Sequence, residues 1–204
     1  IIKRTSYMND NILYLDLETT NDGKIKDVGA IFNEQEIHEN QLSKLENWID
    51  QCNYICGHNI VAHDIPILKN ILGKDIFCNK SIVDTLLWSP LLFSENPYHK
   101  LVKGYKIVND LDINNPLSDC KLTKQLLLDE LNRFNDLDPG IRKIYSSLLA
   151  NSIDYSGFLE LAKFPNQIIN IGDEINRIFK NKFCLNANSK SICEKYPIEL
   201  AYAL

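Results

Sequence analysis

Residues 12–20, ILYLDLETT, alternate in polarity within an otherwise apolar run and predict a central β-strand. That alternation puts Asp16 and Glu18, two residues apart, on the same strand face. Two like charges side by side near the middle of a sheet are costly unless a cation compensates them. A D-x-E pair alone is commonplace in strands, so the surrounding chain has to carry the reading. Outward from it, residues 21–24 (NDGK) form a turn, and IKDVGAIF at 25–32 returns as the second strand of a hairpin. A third short strand is expected over 35–39. Leu42, Leu45, Trp48 and Ile49 then recur at helical spacing, predicting an amphipathic helix to about Cys52.

Residues 54–56 read as a short buried strand, and Ile65, Leu68, Ile71 and Leu72 as a helix closed by Gly73. A strand is expected over 81–87, followed by a loop holding Pro90 and Pro97, with a short helix over 100–106. Asn115-Pro116 opens a longer helix, Asn as N-cap and Pro in the first turn. It runs to about Phe134 on a stripe of Asp119, Leu122 and Leu126. A hairpin followed by strands alternating with helices predicts an α/β fold, a mixed sheet covered by helices on both faces. From Asp138 the pattern changes. Ile141, Ile144, Tyr145, Leu148 and Leu149, then Ile171, Ile175, Ile178 and Phe179, recur at helical spacing, and no strand follows the DPG turn at 138–140. Residues 1–137 are therefore expected to form the α/β domain and 138–204 a C-terminal helical extension.

With 204 residues and 45% hydrophobic content, the chain can bury one full core. No apolar run is long enough to span a bilayer, and no basic-then-apolar signal segment opens the chain, so a cytoplasmic protein with no membrane partner is expected. Cys52, Cys56, Cys78, Cys120, Cys184 and Cys193 form no CxxC pair, which favours reduced thiols over a disulfide frame or a zinc knuckle. The first residue is not Met, and the apolar PIELAYAL ends the chain without a polar cap. A domain cut from a longer polypeptide is the expectation. The net charge of −5 argues against a nucleic-acid partner only at first sight. Two divalent ions held by carboxylates add about four positive charges, and Lys100, Lys103 and Lys106, or Arg142 and Lys143, form local basic clusters.

Two further carboxylates stand out. Asp64, in GHNIVAHDIPIL, follows a short strand and shares a helix face with Leu68 and Ile71. An acid in a first helical turn is ordinary, but one on the inward stripe is not. Asp119 poses the same problem, and its sequence neighbours Lys121 and Lys124 do not lie on its stripe. One shared cation site for Asp16, Glu18, Asp64 and Asp119 explains all of them together. Hard oxygen ligands suit Mg²⁺ or Mn²⁺, two ions bracketing a phosphate.

YLDLETT resembles the first motif (D-x-E-T) of the DEDD superfamily of 3′→5′ exonucleases. GHNIVAHDIPIL resembles its second motif (HN-x₄-D) and NNPLSDCKLTKQLL its third, with SIVDTLLWS like the D-T-L strand between them. The likeness spans roughly residues 10–135. It implies an RNase H-like fold, a two-metal-ion site, phosphodiester hydrolysis, and substrate contacts from Thr19, His58 and Asn59. The segments ICGHNI, PLLFSENPYHKLVKGYK and PIELAYAL are more narrowly similar to an exonuclease-like domain at the N-terminus of certain bacterial RecQ-type DNA helicases. This implies DNA repair, single-stranded DNA 3′ ends and a fused helicase as partners.

The chain departs from the family at the general base. The His of the DEDDh branch falls at Asn114 and the Tyr of the DEDDy branch at Asn115, and neither amide accepts a proton from water near neutral pH. His99, in a loop before the lysine-bearing segment, is the preferred substitute. His63 adjoins Asp64, on a helix that could turn it away; His58 sits at a position that touches substrate or supports local structure; His38 has no motif around it. A positioned base contributes ~10²–10⁴-fold, so the chain is expected to be a slow DNA exonuclease or a catalytically inactive nucleic-acid-binding or scaffolding module. Tyr98, Tyr105 and Trp88 are candidates for stacking on bases, although aromatics are more often core.

Overall fold

The run at 12–20 forms β1 (Ile12–Thr19), with Leu13, Leu15 and Leu17 buried on one face and Tyr14, Asp16 and Glu18 on the other. The computed structural model describes residues 11–72, 76–101, 115–164, 170–180, 182, 184 and 187–204. Gly73, Lys103, Tyr105, Lys106 and Asn114 lie outside the described residues, as does most of the helix expected over 100–106. β2 (Ile25–Phe32) and β3 (Gln35–Ile37) continue antiparallel from β1, while β4 (Tyr54–Gly57) and β5 (Ser81–Asp84) run parallel to it. The order β3-β2-β1-β4-β5 makes a five-stranded mixed sheet of RNase H-like arrangement, with β1 at its centre.

Helices cover both faces. α1 (Leu42–Gln51) and α2 (Asp64–Leu72) flank one, where Leu45, Trp48, Ile49 and Leu68 pack with the β1 leucines. On the other lie α3 (Thr85–Leu92), α4 (Pro116–Asp136), α5 (Pro139–Leu149), α6 (Ile153–Leu161) and α9 (Pro197–Ala203), around Trp88, Phe134 and Phe158. Trp88 stacks on Phe158 with ring centroids 4.1 Å apart. α7 (Ile171–Ile178) and α8 (Ser189–Lys195) complete the nine helices among the described residues. None is long and apolar enough to cross a membrane.

Two elements differ from expectation. The strand at 81 stops at Asp84, whose carboxylate accepts the Leu86 amide and caps α3, so Pro90 lies inside a helix rather than in a loop. In α4 the buried stripe is Cys120, Thr123, Leu127, Glu130, Leu131 and Phe134. Asp119, Leu122 and Leu126 stand one position round the helix, half-buried at the margin of the core.

The regular elements described within residues 138–204 are all helices, and they share a hydrophobic cluster with the sheet. α6 lies against the edge strand β5 so closely that a Cβ on Gly157 would stand 2.1 Å from the Ile82 carbonyl oxygen. Ser81 Oγ donates to Glu160 at 2.6 Å beside that contact. A helix over an edge strand shields its polar backbone from further pairing.

Candidate metal centre

Asp16, Glu18 and Asp119 each offer a carboxylate oxygen, and these three oxygens all lie within 4.8 Å of one another. All three residues are half-buried. Oxygens bound to one Mg²⁺ at ~2.0–2.1 Å stand up to ~4.2 Å apart across the ion, so the trio needs only a slight contraction to fit a divalent cation. The donor set is all hard oxygen, as such an ion requires.

The convergence has identifiable causes. β1 is paired so that Asp16 lies opposite Gly29 on β2, and the register shifts between Glu18 and Thr19 at the end of the ladder. A Cβ on Gly29 would meet the Pro116 backbone at 2.2 Å. Only a residue without a side chain lets the first turn of α4 settle on the sheet beside Asp16. Asn115 starts that turn by accepting the Ser118 amide at 3.1 Å, and the Cys120 thiol donates to the Gly29 carbonyl at 3.2 Å. Lys121 and Lys124, Asp119's neighbours in sequence, form ion pairs with Glu36 at 2.9 Å and Glu34 at 3.4 Å.

Asp64 stands beside this trio without belonging to it. It is buried at the start of α2 and accepts the amide of Leu17, the residue between Asp16 and Glu18, at 2.8 Å. Burial pushes its carboxyl up to about 6, against the opposing pull of His63 and the Leu17 amide. His63 Nδ1 lies 3.6 Å from the Asp64 carboxylate, so this imidazole is turned toward the acid. The Cys120 thiol is pushed well up, first by burial and then by the charges of Asp16, Asp64 and Asp119, which crowd around it.

The Gly57–Val61 turn is organised by Asp84, which the sequence reading does not single out. Its buried carboxylate accepts the amides of Asn59 at 2.9 Å and Val61 at 3.1 Å, besides that of Leu86. Asn59 takes a positive φ of 67°, a conformation Asn tolerates better than most residues. His58 Nδ1 lies 2.9 Å from Thr85 Oγ1, and its ring is also hydrogen-bonded to the His99 backbone. Burial lowers its pKa, so the imidazole is neutral near pH 7. His58 thus fastens the His99 loop to the turn. His99 Nδ1 in turn lies 3.0 Å from Ser89 Oγ.

Thr19 ends β1, half-buried at the register shift. His38 pairs with Asp27, which lies opposite Glu18, at 3.1 Å. Trp88 is fully buried and belongs to the core, whereas Tyr98 is 75% exposed. Glu130 is the other acid the sequence reading passes over. It is fully buried, and neither carboxyl oxygen has a hydrogen-bond partner among the described residues. Burial and then the charges of Asp84 and Asp129 push it well above the carboxylate range. The D-T dipeptide at 84–85 carries the usual signal of a helix N-cap, whereas nothing local in the sequence marks Gly29 or Glu130. No family model matches the chain, and no curated protein matches it.

Proposed function

We propose that the chain is a metal-dependent 3′→5′ exonuclease acting on single-stranded DNA ends, within a larger helicase or DNA-repair protein. The observation that supports this most is the approach of Asp16, Glu18 and Asp119 to within 4.8 Å, with Asp64 on the amide between the first two. Three carboxylates so close, with Asp64 beside them, suit Mg²⁺ or Mn²⁺, which when bound would supply the positive charge and Lewis acidity for phosphodiester hydrolysis. The remaining tasks fall to the chain's own groups. Thr19 and Asn59 orient the terminal nucleotide, and His58 holds the His99 loop in place. In the tautomer that donates Nδ1–H to Ser89, His99 keeps Nε2 as the acceptor for a proton from the attacking water.

A second reading, a catalytically inactive module that binds nucleic acid or scaffolds a helicase, is favoured by the amide Asn114 at the usual general-base position and by its neighbour Asn115. At a position where one branch of the family carries its base, Asn115 is occupied as the cap of α4. Digestion of 3′-labelled single-stranded DNA with Mn²⁺ separates the two. The exonuclease reading expects stepwise shortening that Asp16→Ala abolishes and His99→Ala slows by ~10²-fold or more. No metal-dependent shortening at high protein concentration selects the inactive module. Equal rates for His99→Ala and the parent remove only His99 from the mechanism.

A further inference from the structure

A cleft of about 240 Å³ opens along α4, beginning one helical turn beyond Asp119. Leu122 and Leu126 line it from the helix, and Tyr98, His99 and Lys100 from the loop that leaves α3. The two leucines are the residues that a core-facing Asp119 stripe would have buried; here they are half-exposed and form the cleft's apolar wall. Gln125 and Asp129 add a polar edge, with Gln125 Nε2 donating to Asp129 Oδ1 at 3.0 Å.

Size and chemistry narrow the occupant. Sites for drug-sized ligands run to ~300–1,000 Å³, so this one suits a single planar ring system rather than a whole dinucleotide. Apolar side chains and an exposed tyrosine ring suit the faces of such a ring. An amide and a carboxylate at the edge provide both donors and acceptors, which matches the mixed edge of a nucleobase. Lys100 brings a cation suited to an adjoining phosphate. The position fits as well. Leu122 lies ~4.5 Å along the helix axis from Asp119, and His58 links the His99 backbone to a turn that feels the Asp119 charge.

We infer that this cleft is a base-binding subsite, taking the base of a nucleotide that adjoins the phosphodiester held at the acidic trio. Its place in a substrate path rests on the nuclease reading, but base binding itself does not require metal or cleavage. The test is therefore run in EDTA at low salt, with the 204-residue chain and a fluorescein-labelled oligothymidylate of five nucleotides, read by anisotropy. Tyr98→Ala and Gln125→Ala are expected to weaken binding, the former by about tenfold, as loss of a stacking partner does. Leu126→Trp, which fills the cleft, is expected to weaken it further. Tyr196→Ala removes another exposed tyrosine, on α8's C-terminal side, and is expected to change nothing.

Thermal melts of each variant separate misfolding from lost binding, and Gln125→Ala, at an exposed helix position, serves if Leu126→Trp does not fold. The inference is overturned if the parent does not bind, or if Tyr98→Ala and Gln125→Ala bind as the parent does. Cleft-dependent binding without metal-dependent cleavage keeps the subsite and removes the exonuclease. Cleavage whose KM is indifferent to the cleft variants does the reverse.

Discussion

Asp84 and Glu130 lie in the interior of the fold, whereas Asp16, Glu18 and Asp119 meet half-buried where β1 and α4 come together. The interior pair is accommodated by the protein alone. Asp84's carboxylate accepts three backbone amides, and the cost of desolvating its anion pushes the fully buried Glu130 carboxyl well above the carboxylate range. The trio is arranged differently. Its oxygens are brought together by a strand face, a missing side chain at Gly29 and a capped helix turn, and they remain within reach of solvent. The interior acids meet backbone amides or are pushed toward the protonated form, whereas the three acids that could hold a cation lie close together and within reach of solvent.

The largest effect expected from that contrast is on Mn²⁺ affinity. Asp16→Asn and Glu18→Gln should lower it by more than the ~10–100-fold typical of losing a merely supporting group, while Glu130→Gln leaves it unchanged. Calorimetric titration checks this, and a loss at Glu130 equal to that at Asp16 would erase the distinction. Next comes Asp84→Ala, which strands three backbone amides and should cost about 3–4 kcal/mol of stability in urea unfolding. A cost under about 1 kcal/mol would mean that the turn at 57–61 does not depend on this carboxylate.

Gly29→Ala and Gly157→Ala sharpen the comparison further. Each forces a Cβ into backbone, against Pro116 and against Ile82 respectively, and each should destabilise by about 1–3 kcal/mol. Only Gly29→Ala, which lifts α4 away from β1, should also weaken Mn²⁺ binding. Equal Mn²⁺ affinities in the two variants would separate the trio from the close approach at Gly29.

The smallest effect is a slope against pH. Glu130 binds its proton more tightly in the folded than in the unfolded chain. Its contribution is therefore complete below the unfolded carboxyl range near ~4.3 and is lost as pH rises toward the folded value. Asp64 acts in the same sense, but only up to about 6. Above pH 6, where Asp64 no longer contributes, the parent should still lose stability as pH rises, by at most ~1.4 kcal/mol per pH unit for one group, and Glu130→Gln should flatten that slope. An unchanged slope in Glu130→Gln would show that other groups carry it.

Much of this architecture is legible in the sequence where local rules suffice. The alternation at 12–20 sets β1 and puts Asp16 and Glu18 on one face, and Asn115-Pro116 marks the start of α4. The phase of α4 is harder to read, because its buried stripe contains Thr123 and Glu130 while Leu122 and Leu126 sit at the margin. Hydrophobicity therefore points to the wrong face by one residue. Asp119 is reached by the metal argument, although it stands at the rim of the core and not within it. The reach of the strand at 81–87 is overestimated because Leu86 and Leu87 suit a strand as well as a helix, and the Asp84 cap decides between them. Gly29 and Gly157 are silent in the sequence, since their importance lies in contacts with Pro116 and Ile82, distant along the chain.

The most direct test is anomalous scattering from a crystal soaked in Mn²⁺. Manganese peaks bounded by the carboxylates of Asp16, Glu18 and Asp119, and absent from Asp16→Asn crystals, are the predicted result. Well-ordered carboxylates with no manganese among them at millimolar Mn²⁺ would contradict it.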